Sequence, residues 1–517
     1  MTENKPVDII KKSAFFTTLF LFSFILMIIK NGADPDLWHR MAVGKIFSQT
    51  GWIAYHDIFS YFPKNEIWID HEWLSGVVFY YIADHFGDYG FIILQVVMTF
   101  LILFLIYKIN QLISPENKNR ISFYLIALIG FHAGLSSTLR CQSFTYLFFA
   151  LWIYALERIR RGETRLIWIF PVTMLFWANF HGGFLAGIGL IVFYIAGEFL
   201  NRRSVKKYFA ILALILPVTF INPYGIKYWQ YILEATTMQR PYITEWESFN
   251  LFESIYSGLG IKLLILILFL GYGYKILKKQ FNIDKVELIA IAVTLYLGIK
   301  HERHSVFFAI LAASFGYQHF TAFLNATVGK LEQKITGFLN QDTLEKINFS
   351  KDYAVYFFLI LTSVSIISSI PIKITLEEYP VKEVDFIKRN KLSGNLFVPF
   401  NWGTYAMWKL YPQNYVSIDG RFEEVYKIEA YMDVIKFNFL NEDQEEILNK
   451  YHHDVFLLEL DTKAYEMLKS RQDWQLVYKG EMGAVFLPIS EKLMNPQMPY
   501  DNPCYYIKTK YKNNIDF

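Results

Sequence analysis

The sequence predicts an all-α polytopic membrane domain followed by an extracytoplasmic α/β domain. Three observations carry that reading. The 517 residues are 54% hydrophobic and 18% aromatic but only 19% charged, with a mean hydropathy of +0.24, whereas a soluble domain is about a quarter charged. The apolar residues come in long runs, and about 20 in a row suffice to cross a bilayer core. Lys and Arg gather in alternate loops, as they do on the cytoplasmic side of a membrane. The same composition excludes a disordered or collagen-like chain, and two cysteines, Cys141 and Cys504, exclude a disulfide scaffold. A net charge of +3 offers no footing for a nucleic-acid partner.

The first span, Ala14–Ile29, follows the basic flank Lys5, Lys11 and Lys12. Its apolar core is long and no small-x-small cleavage site follows, so it reads as an uncleaved anchor rather than a secretory signal. Further spans are expected at Phe91–Tyr107, Ile121–Leu139, Phe144–Leu156, Leu166–Ala178 and Phe184–Ala196. The second half adds Phe209–Ile221, Leu259–Tyr274, Val286–Gly298, Val306–Gln318 and Tyr353–Ile370. That makes about eleven transmembrane helices. Pro171 and Pro217 fall within short spans, where kinks or partial crossings are expected.

With the N-terminus cytoplasmic, the loops carrying Lys108/Lys118/Arg120, Arg158/Arg160/Arg161/Arg165, Arg202/Arg203/Lys206/Lys207 and Lys275/Lys278/Lys279/Lys285 all fall on one side. The loop from Thr321 to Lys351 joins them. The stretches Asn31–Gly90 and Asn222–Ser257, and everything after Pro371, then lie outside the cytoplasm. The expected division is residues 1–373 for the membrane domain, with 31–90 as its first outer loop, and 374–517 for the outer domain. The protein is expected in the plasma (inner) membrane, in contact with the bilayer. In the tail, short apolar runs at Asn395–Pro399, Tyr415–Ile418, Val455–Glu459 and Ala484–Leu487 alternate with amphipathic helices at Glu377–Asn390 and Asp443–Tyr451, the pattern of an α/β domain.

The densest polar constellation follows the first span: Asn31-Gly-Ala-Asp-Pro-Asp-Leu-Trp-His-Arg40. Pro35 keeps Asp34 out of a helix interior, and a helix around Leu37–Gln49 keeps His39 and Arg40 near the carboxylates. The loop continues through Tyr55-His-Asp57 and Phe59-Ser-Tyr61 to Trp68-Ile-Asp-His-Glu-Trp73, and Leu74–Phe86 reads as an apolar helix along the membrane surface. Carboxylates beside a bilayer are costly unless paired, solvated or useful. In the functional reading, Asp34, Asp36 and Asp70 line an outward-facing cavity, one as general base and others holding a divalent cation. In the structural reading, Asp36 caps the following helix and Asp70 or Glu72 caps the next. For the cluster as a whole the functional reading is preferred.

This order of features, a first span, an acidic outer loop, surface helices and a chain of further spans, resembles the GT-C type glycosyltransferases, among them protein mannosyltransferases, aminoarabinose transferases and oligosaccharyltransferases. The resemblance implies a GT-C-like membrane domain, a polyprenyl-phosphate sugar donor and an acidic catalytic centre in the first outer loop. It places Asp34, Asp36, Asp70 and Glu72 at that centre. Asp34-Pro-Asp36 with His39 and Arg40 is most similar to the oligosaccharyltransferase version, where such aspartates bind a divalent metal. Mg or Mn at Asp34 and Asp36 is therefore implied, although other branches work without one.

Other outer segments supply the remaining candidates. Thr244-Glu245 is similar to a short motif that contacts the acceptor, which makes Glu245 a candidate; an interfacial segment with Trp and Tyr at headgroup level is the competing reading. A lipid-phosphate leaving group needs a fixed cation, and Arg suits it through bidentate bonding. Arg140 and Arg303, helped by His301 and His304, are the candidates, against roles in neutralising carboxylates or binding lipid headgroups. Lys300-His-Glu-Arg-His304 lacks zinc-motif spacing. Asn179 and His181 sit in a Gly-rich turn that reads first as plain packing. In the tail, Asn401-Trp-Gly-Thr-Tyr405 and Ser417-Ile-Asp-Gly-Arg421 resemble oligosaccharyltransferase tail segments in their order, which implies acceptor contacts for Trp402, Tyr405, Asp419 and Arg421. The aspartate of the first motif is missing, so transfer to asparagine is not implied. Asp419 and Arg421 could also pair with each other in a turn.

The function that follows is an inverting transfer of sugar from a polyprenyl-phosphate donor to a lipid, glycan or protein acceptor outside the membrane. A transporter or lipid flippase, and a catalytically silent assembly partner in cell-envelope glycan synthesis, are the alternatives. The heavy outer loops, and the lack of paired broken spans, weigh against transport.

Overall fold

The structure is a computed structural model, and it describes residues 5–29, 32–116, 120–135, 139–238, 246–254, 257–336, 357, 360–365, 374–439, 444–491, 493 and 496–499. Glu245, Cys504 and most of the expected span Tyr353–Ile370 lie outside the described residues. The chain forms two compact units. The first comprises Met1–Lys30, Ile92–Ser137 and Gln142–Ile372; the second comprises Asn31–Phe91, Thr138–Cys141 and Lys373–Phe517. The sequence reading assigned residues 31–90 to the membrane domain, whereas this outer loop is folded into the same unit as the tail.

The first unit is helical. Its helices are α1 (Lys5–Ile29), the later part of α3 (Trp73–Ile113), α4 (Arg120–Gly130), α5 (Gln142–Arg160), α6 (Ile169–Phe180), α7 (Phe184–Leu200), α8 (Lys206–Val218), α9 (Ile226–Thr237), α10 (Leu259–Leu277), α11 (Lys285–Lys300), α12 (Ser305–Leu311) and α13 (Tyr317–Thr336). α2 (Pro35–Thr50) belongs to the second unit. Helices satisfy their backbone groups internally, which a hydrocarbon solvent demands. Helical segments stand at each expected span up to Val306–Gln318. Among the described residues, Trp73–Ile113, Leu259–Leu277 and Glu302–Thr327 are long and apolar enough to cross a membrane, and Phe15–Met27, Ser122–Gly134 and Phe184–Leu200 are shorter apolar helices. α6 and α8 have 12 and 13 residues, a rise of roughly 18–20 Å against a core of about 30 Å. Counting apolar residues locates such helices but not their ends. The stretch read as a loop from Thr321 is helical as far as Thr336.

Several charges in this unit are internal. Arg160 reaches Glu157 at 2.9 Å, Glu198 at 2.7 Å and Asp284 at 2.5 Å, which ties α5, α7 and the start of α11 together. Asp284 also caps α11 by accepting the Val286 N–H at 2.9 Å. Glu287, His319, Tyr272 and Gln318 form a second buried group across α10, α11 and α13. Charges withdrawn from water hold only when matched in this way.

The second unit is built on a five-stranded sheet of order β2-β1-β3-β5-β4, with strands Gly394–Phe397 (β1), Asn414–Val416 (β2), Val455–Glu459 (β3), Trp474–Lys479 (β4) and Gly483–Pro488 (β5). β1 pairs in parallel with β2 and β3, and β5 pairs antiparallel with β3 and β4. Four of these strands match the apolar runs expected from sequence. β4 escaped that reading because Gln475 and Lys479 interrupt its apolar residues. The helix expected from Glu377 starts at Val381, since Pro380 disfavours helical geometry in the residue before it. The outer loop extends the sheet at β2: Tyr61 N–H donates to Val416 O at 3.1 Å and Val416 N–H to Phe59 O at 3.0 Å. That pairing covers an edge that would otherwise be open.

α2 packs on the helix Phe400–Leu410 through Trp38, whose ring lies 5.2 Å from Tyr379 and 5.1 Å from Tyr405. α2 and α3 approach so closely that a Cβ on Gly44 would stand 2.1 Å from the Gly76 carbonyl oxygen. Gly87, at φ 58° and ψ −142°, breaks α3 just after the stretch read as a surface helix.

The core of this unit holds a guanidinium. Arg421, 1% exposed, binds Asp419 through Nε at 2.8 Å and NH2 at 2.6 Å, and Asp57 through NH1 at 2.5 Å. Its plane lies 5.2 Å from the Phe59 ring and 4.8 Å from Trp68. Tyr426 donates to Asp419 at 2.7 Å. Burial alone would raise the Asp57 carboxyl, but the Arg421 charge and the Ser60 hydroxyl outweigh it and hold Asp57 below the usual carboxylate value.

Removing one partner of a buried ion pair costs roughly 3–5 kcal/mol. Arg421→Ala is therefore expected to lower the unfolding temperature of the detergent-solubilised protein sharply, and Arg421→Lys, without the planar fork, to restore little of it. A wild-type melting curve for Arg421→Ala would show that the cluster is not structural. Gly44→Val should destabilise in the same assay by about 1–3 kcal/mol through overpacking. Gly189→Ala, on α7 with open space around the new methyl group, is the matched helix-glycine control and should not destabilise.

Candidate functional site

The candidate acidic centre starts at the N-terminus of α2. Pro35 occupies the first helical turn, where its missing N–H costs nothing. Asp34, in extended geometry, caps the helix by accepting the Asp36 N–H at 3.0 Å. The capping expected of Asp36 thus falls to Asp34, because the proline lets the helix begin one residue earlier. The second oxygen of Asp34 faces Arg140 Nε at 3.1 Å, and the Arg140 NH2 stands 3.7 Å from Asp36 Oδ2. Arg140 is delivered by the short segment Leu139–Cys141, whose Leu139 bridges to Ala33. Asp36 keeps its side chain 31% exposed, against 11% for Asp34. Burial of its surroundings and the neighbouring Asp34 charge push the Asp36 carboxyl up to about 7, against the opposing pull of Arg140. Gly420 lies beside it: a Cβ there would be 3.7 Å from Asp36 Oδ1 and 3.3 Å from Thr404 Cγ2.

Behind this pair sits a second arginine. Arg40 on α2 is buried and binds Asp70, Glu72 at 2.6 Å and Glu424 at 3.0 Å. Asp70 also accepts the Glu72 N–H at 3.0 Å, fixing the turn that enters α3. His71 lies 3.4 Å from Glu424 and 3.5 Å from Glu72. Burial would lower the His71 imidazole, but those two carboxylates prevail and raise it. His39 is held well below its usual value by burial and by the charges of Arg40 and Arg421, so it is neutral.

A separate group lies in the first unit. The turn between α11 and α12 presents Lys300, His301, Arg303 and His304. Arg303 stacks over Trp246 at 4.5 Å, and His301 Nδ1 lies 2.7 Å from the Trp246 carbonyl oxygen. Among the described residues no carboxylate pairs with Arg303. Asn179 and His181 are used in a tight turn: Asn179 donates to Leu175 O and Ile221 O, and His181 Nδ1 meets Thr145 Oγ1 and the Gly183 N–H.

The residues anticipated from sequence therefore separate into groups. Asp34, Asp36 and Arg140 come together. Asp70 and Glu72, read from sequence as acid–base groups, are instead engaged by the buried Arg40. Trp402, Tyr405, Asp419 and Arg421 are buried in the second unit, so the reading of these four as acceptor contacts is corrected to one of core packing and ion pairing. Asp57, His71 and Glu424 were not singled out, and their only sequence signal was charge within aromatic surroundings. A divalent cation at Asp34 and Asp36 does not fit the residues present. One Asp34 oxygen is taken by the helix N-terminus, and Arg140 faces an oxygen of each carboxylate. Among the described residues no group of three or more His, Cys, Asp or Glu is arranged to hold a metal.

No protein-family model matches the chain. No curated protein matches it either. Among solved structures, the crystal structure of the apo form of the Archaeoglobus fulgidus oligosaccharyltransferase is similar over 88% of this chain and 70% of that one, with a TM-score of 0.56 and 9% sequence identity. At that identity the likeness concerns the fold alone, and that fold is in line with the GT-C-like one expected from the acidic loop and the order of spans.

Proposed function

We propose that this protein is a membrane glycosyltransferase that moves a sugar from a polyprenyl-phosphate donor to an acceptor hydroxyl or amine on the outer face of the membrane. The observation that carries the reading is Asp36: a part-exposed carboxylate whose pKa is raised to about 7, beside a partner carboxylate that is already committed. A general base works best when its pKa lies near the operating pH. In the proposed reaction Asp36 takes the proton from the acceptor. The acceptor heteroatom bonds to the anomeric carbon as the bond from that carbon to the phosphate oxygen breaks. The electron pair leaves with the polyprenyl phosphate, and configuration inverts because no enzyme nucleophile intervenes. Asp34 orients the helix N-terminus and Arg140. The candidates for holding the donor phosphate are Arg303, with which no described carboxylate pairs, and the neighbouring His301 and His304 as hydrogen-bonding groups. Glu245 remains a candidate for the acceptor.

Transfer is assayed with purified protein and a panel of labelled polyprenyl-phosphate monosaccharides, by release of polyprenyl phosphate. Asp36→Asn should lose about 10²–10⁴-fold in turnover, while Asp34→Asn, which retains a good cap, should lose less. Full activity in Asp36→Asn would sink the assignment. The base works deprotonated, so wild-type turnover should rise with pH through about 7 and level off above it, falling about tenfold per unit below. A profile flat from pH 5 to 8 contradicts Asp36 as the base. Arg303→Gln should cost about tenfold or more in donor use, the worth of one charge-assisted hydrogen bond, with the acceptor KM unchanged.

A further inference from the structure

We infer that Arg140 takes the place of a divalent cation at the Asp34–Asp36 pair, so that the positive charge of this centre is part of the chain. The inference deepens the glycosyltransferase reading, but its physical content stands apart from it. A magnesium ion binds through one or two carboxylates, with water completing the shell at about 2.0–2.1 Å. Two carboxylates separated by one proline would suffice for that chemistry if their facing oxygens were open. They are not. Arg140 Nε lies 3.1 Å from Asp34 Oδ2 and its NH2 lies 3.7 Å from Asp36 Oδ2, so one guanidinium spans both acids. The other Asp34 oxygen accepts the Asp36 N–H at 3.0 Å.

The arginine is also anchored. Leu139 pairs with Ala33, the residue before Asp34, and Cys141 on the other side is buried. The segment that carries the cation is thereby registered to the segment that carries the acids. Nearby carboxylates offer no alternative ligand set, since Asp70 and Glu72 are held by Arg40. A guanidinium differs from a metal ion in what it supplies: it is a weak Lewis acid, but its charge persists at every working pH and it matches a carboxylate edge in shape. It holds Asp34 in place while leaving Asp36 more open to solvent.

The test uses full-length protein in detergent, stripped of metal and titrated with Mn²⁺ while the free-ion spin-resonance signal is followed. Wild type should leave that signal undiminished, and its melting temperature should not respond to EDTA or Mg²⁺. Arg140→Gln, which drops the charge and keeps much of the bulk, should gain about one equivalent of bound Mn²⁺. The gain should disappear again in Arg140→Gln/Asp36→Asn, and Arg140→Lys, still cationic, should show none. If Arg140→Gln does not fold, Arg140→Met serves the same comparison. One equivalent bound by wild type and lost in Asp34→Asn or Asp36→Asn overturns the inference, as does a folded Arg140→Gln or Arg140→Met that gains nothing. Absence of glycosyl transfer alongside the expected Mn²⁺ pattern would count against the proposed activity and leave the role of Arg140 standing.

Discussion

A guanidinium taken out of water must be matched on its edge by acceptors and on its faces by polarisable surface. Arg421 meets both needs with Asp57 and Asp419 around its rim and Phe59 and Trp68 along its faces. Asp57, Phe59 and Trp68 come from the outer loop, whereas Asp419 and Arg421 come from the tail. The ion pair can therefore form only if these two stretches fold as one body, and the extension of the sheet at β2 by residues 59–61 is the backbone expression of the same requirement. Within that body the entry of α2 has a defined position, which is what lets Asp34, Asp36 and Arg140 meet.

Arg40 repeats the arrangement one layer nearer the acidic centre. Its carboxylates, Asp70, Glu72 and Glu424, again join the loop to the tail. The outcome is a gradation of acids. Those matched to an internal arginine serve the structure. Asp34 is shared between a helix cap and Arg140. Asp36, at the open end of the series, has the raised pKa that makes it responsive near neutrality. A single carboxylate's chemistry is thus set by how many of its neighbours are already satisfied.

The first unit follows the same rule with different materials. Arg160 was one of the cations from which orientation was read, yet it is enclosed by Glu157, Glu198 and Asp284. A positive charge at the end of α5 therefore clamps helices together. At the other turn, Arg303 rests on the aromatic face of Trp246, and among the described residues no acid pairs with it.

Much of this was legible in the sequence. Long apolar runs locate helices because the membrane core admits little else, and the positions of four tail strands follow from short apolar stretches. The Asp34-Pro-Asp36 motif stands out because carboxylates beside a bilayer are rarely idle. What the sequence left open was the partner of each charge. Glu424 lies 384 residues after Arg40, and Arg421 lies 364 after Asp57; no local spacing records such pairs. Asp70, Glu72, Asp419 and Arg421 carry the same residue types as a catalytic acid and a phosphate-binding base, and only burial against one another separates them from Asp36. Local periodicity and composition thus determine which segments are helix, strand or loop, whereas the protonation and accessibility of an acid are settled by tertiary structure, because they depend on charges and apolar surface that the fold brings from distant parts of the chain.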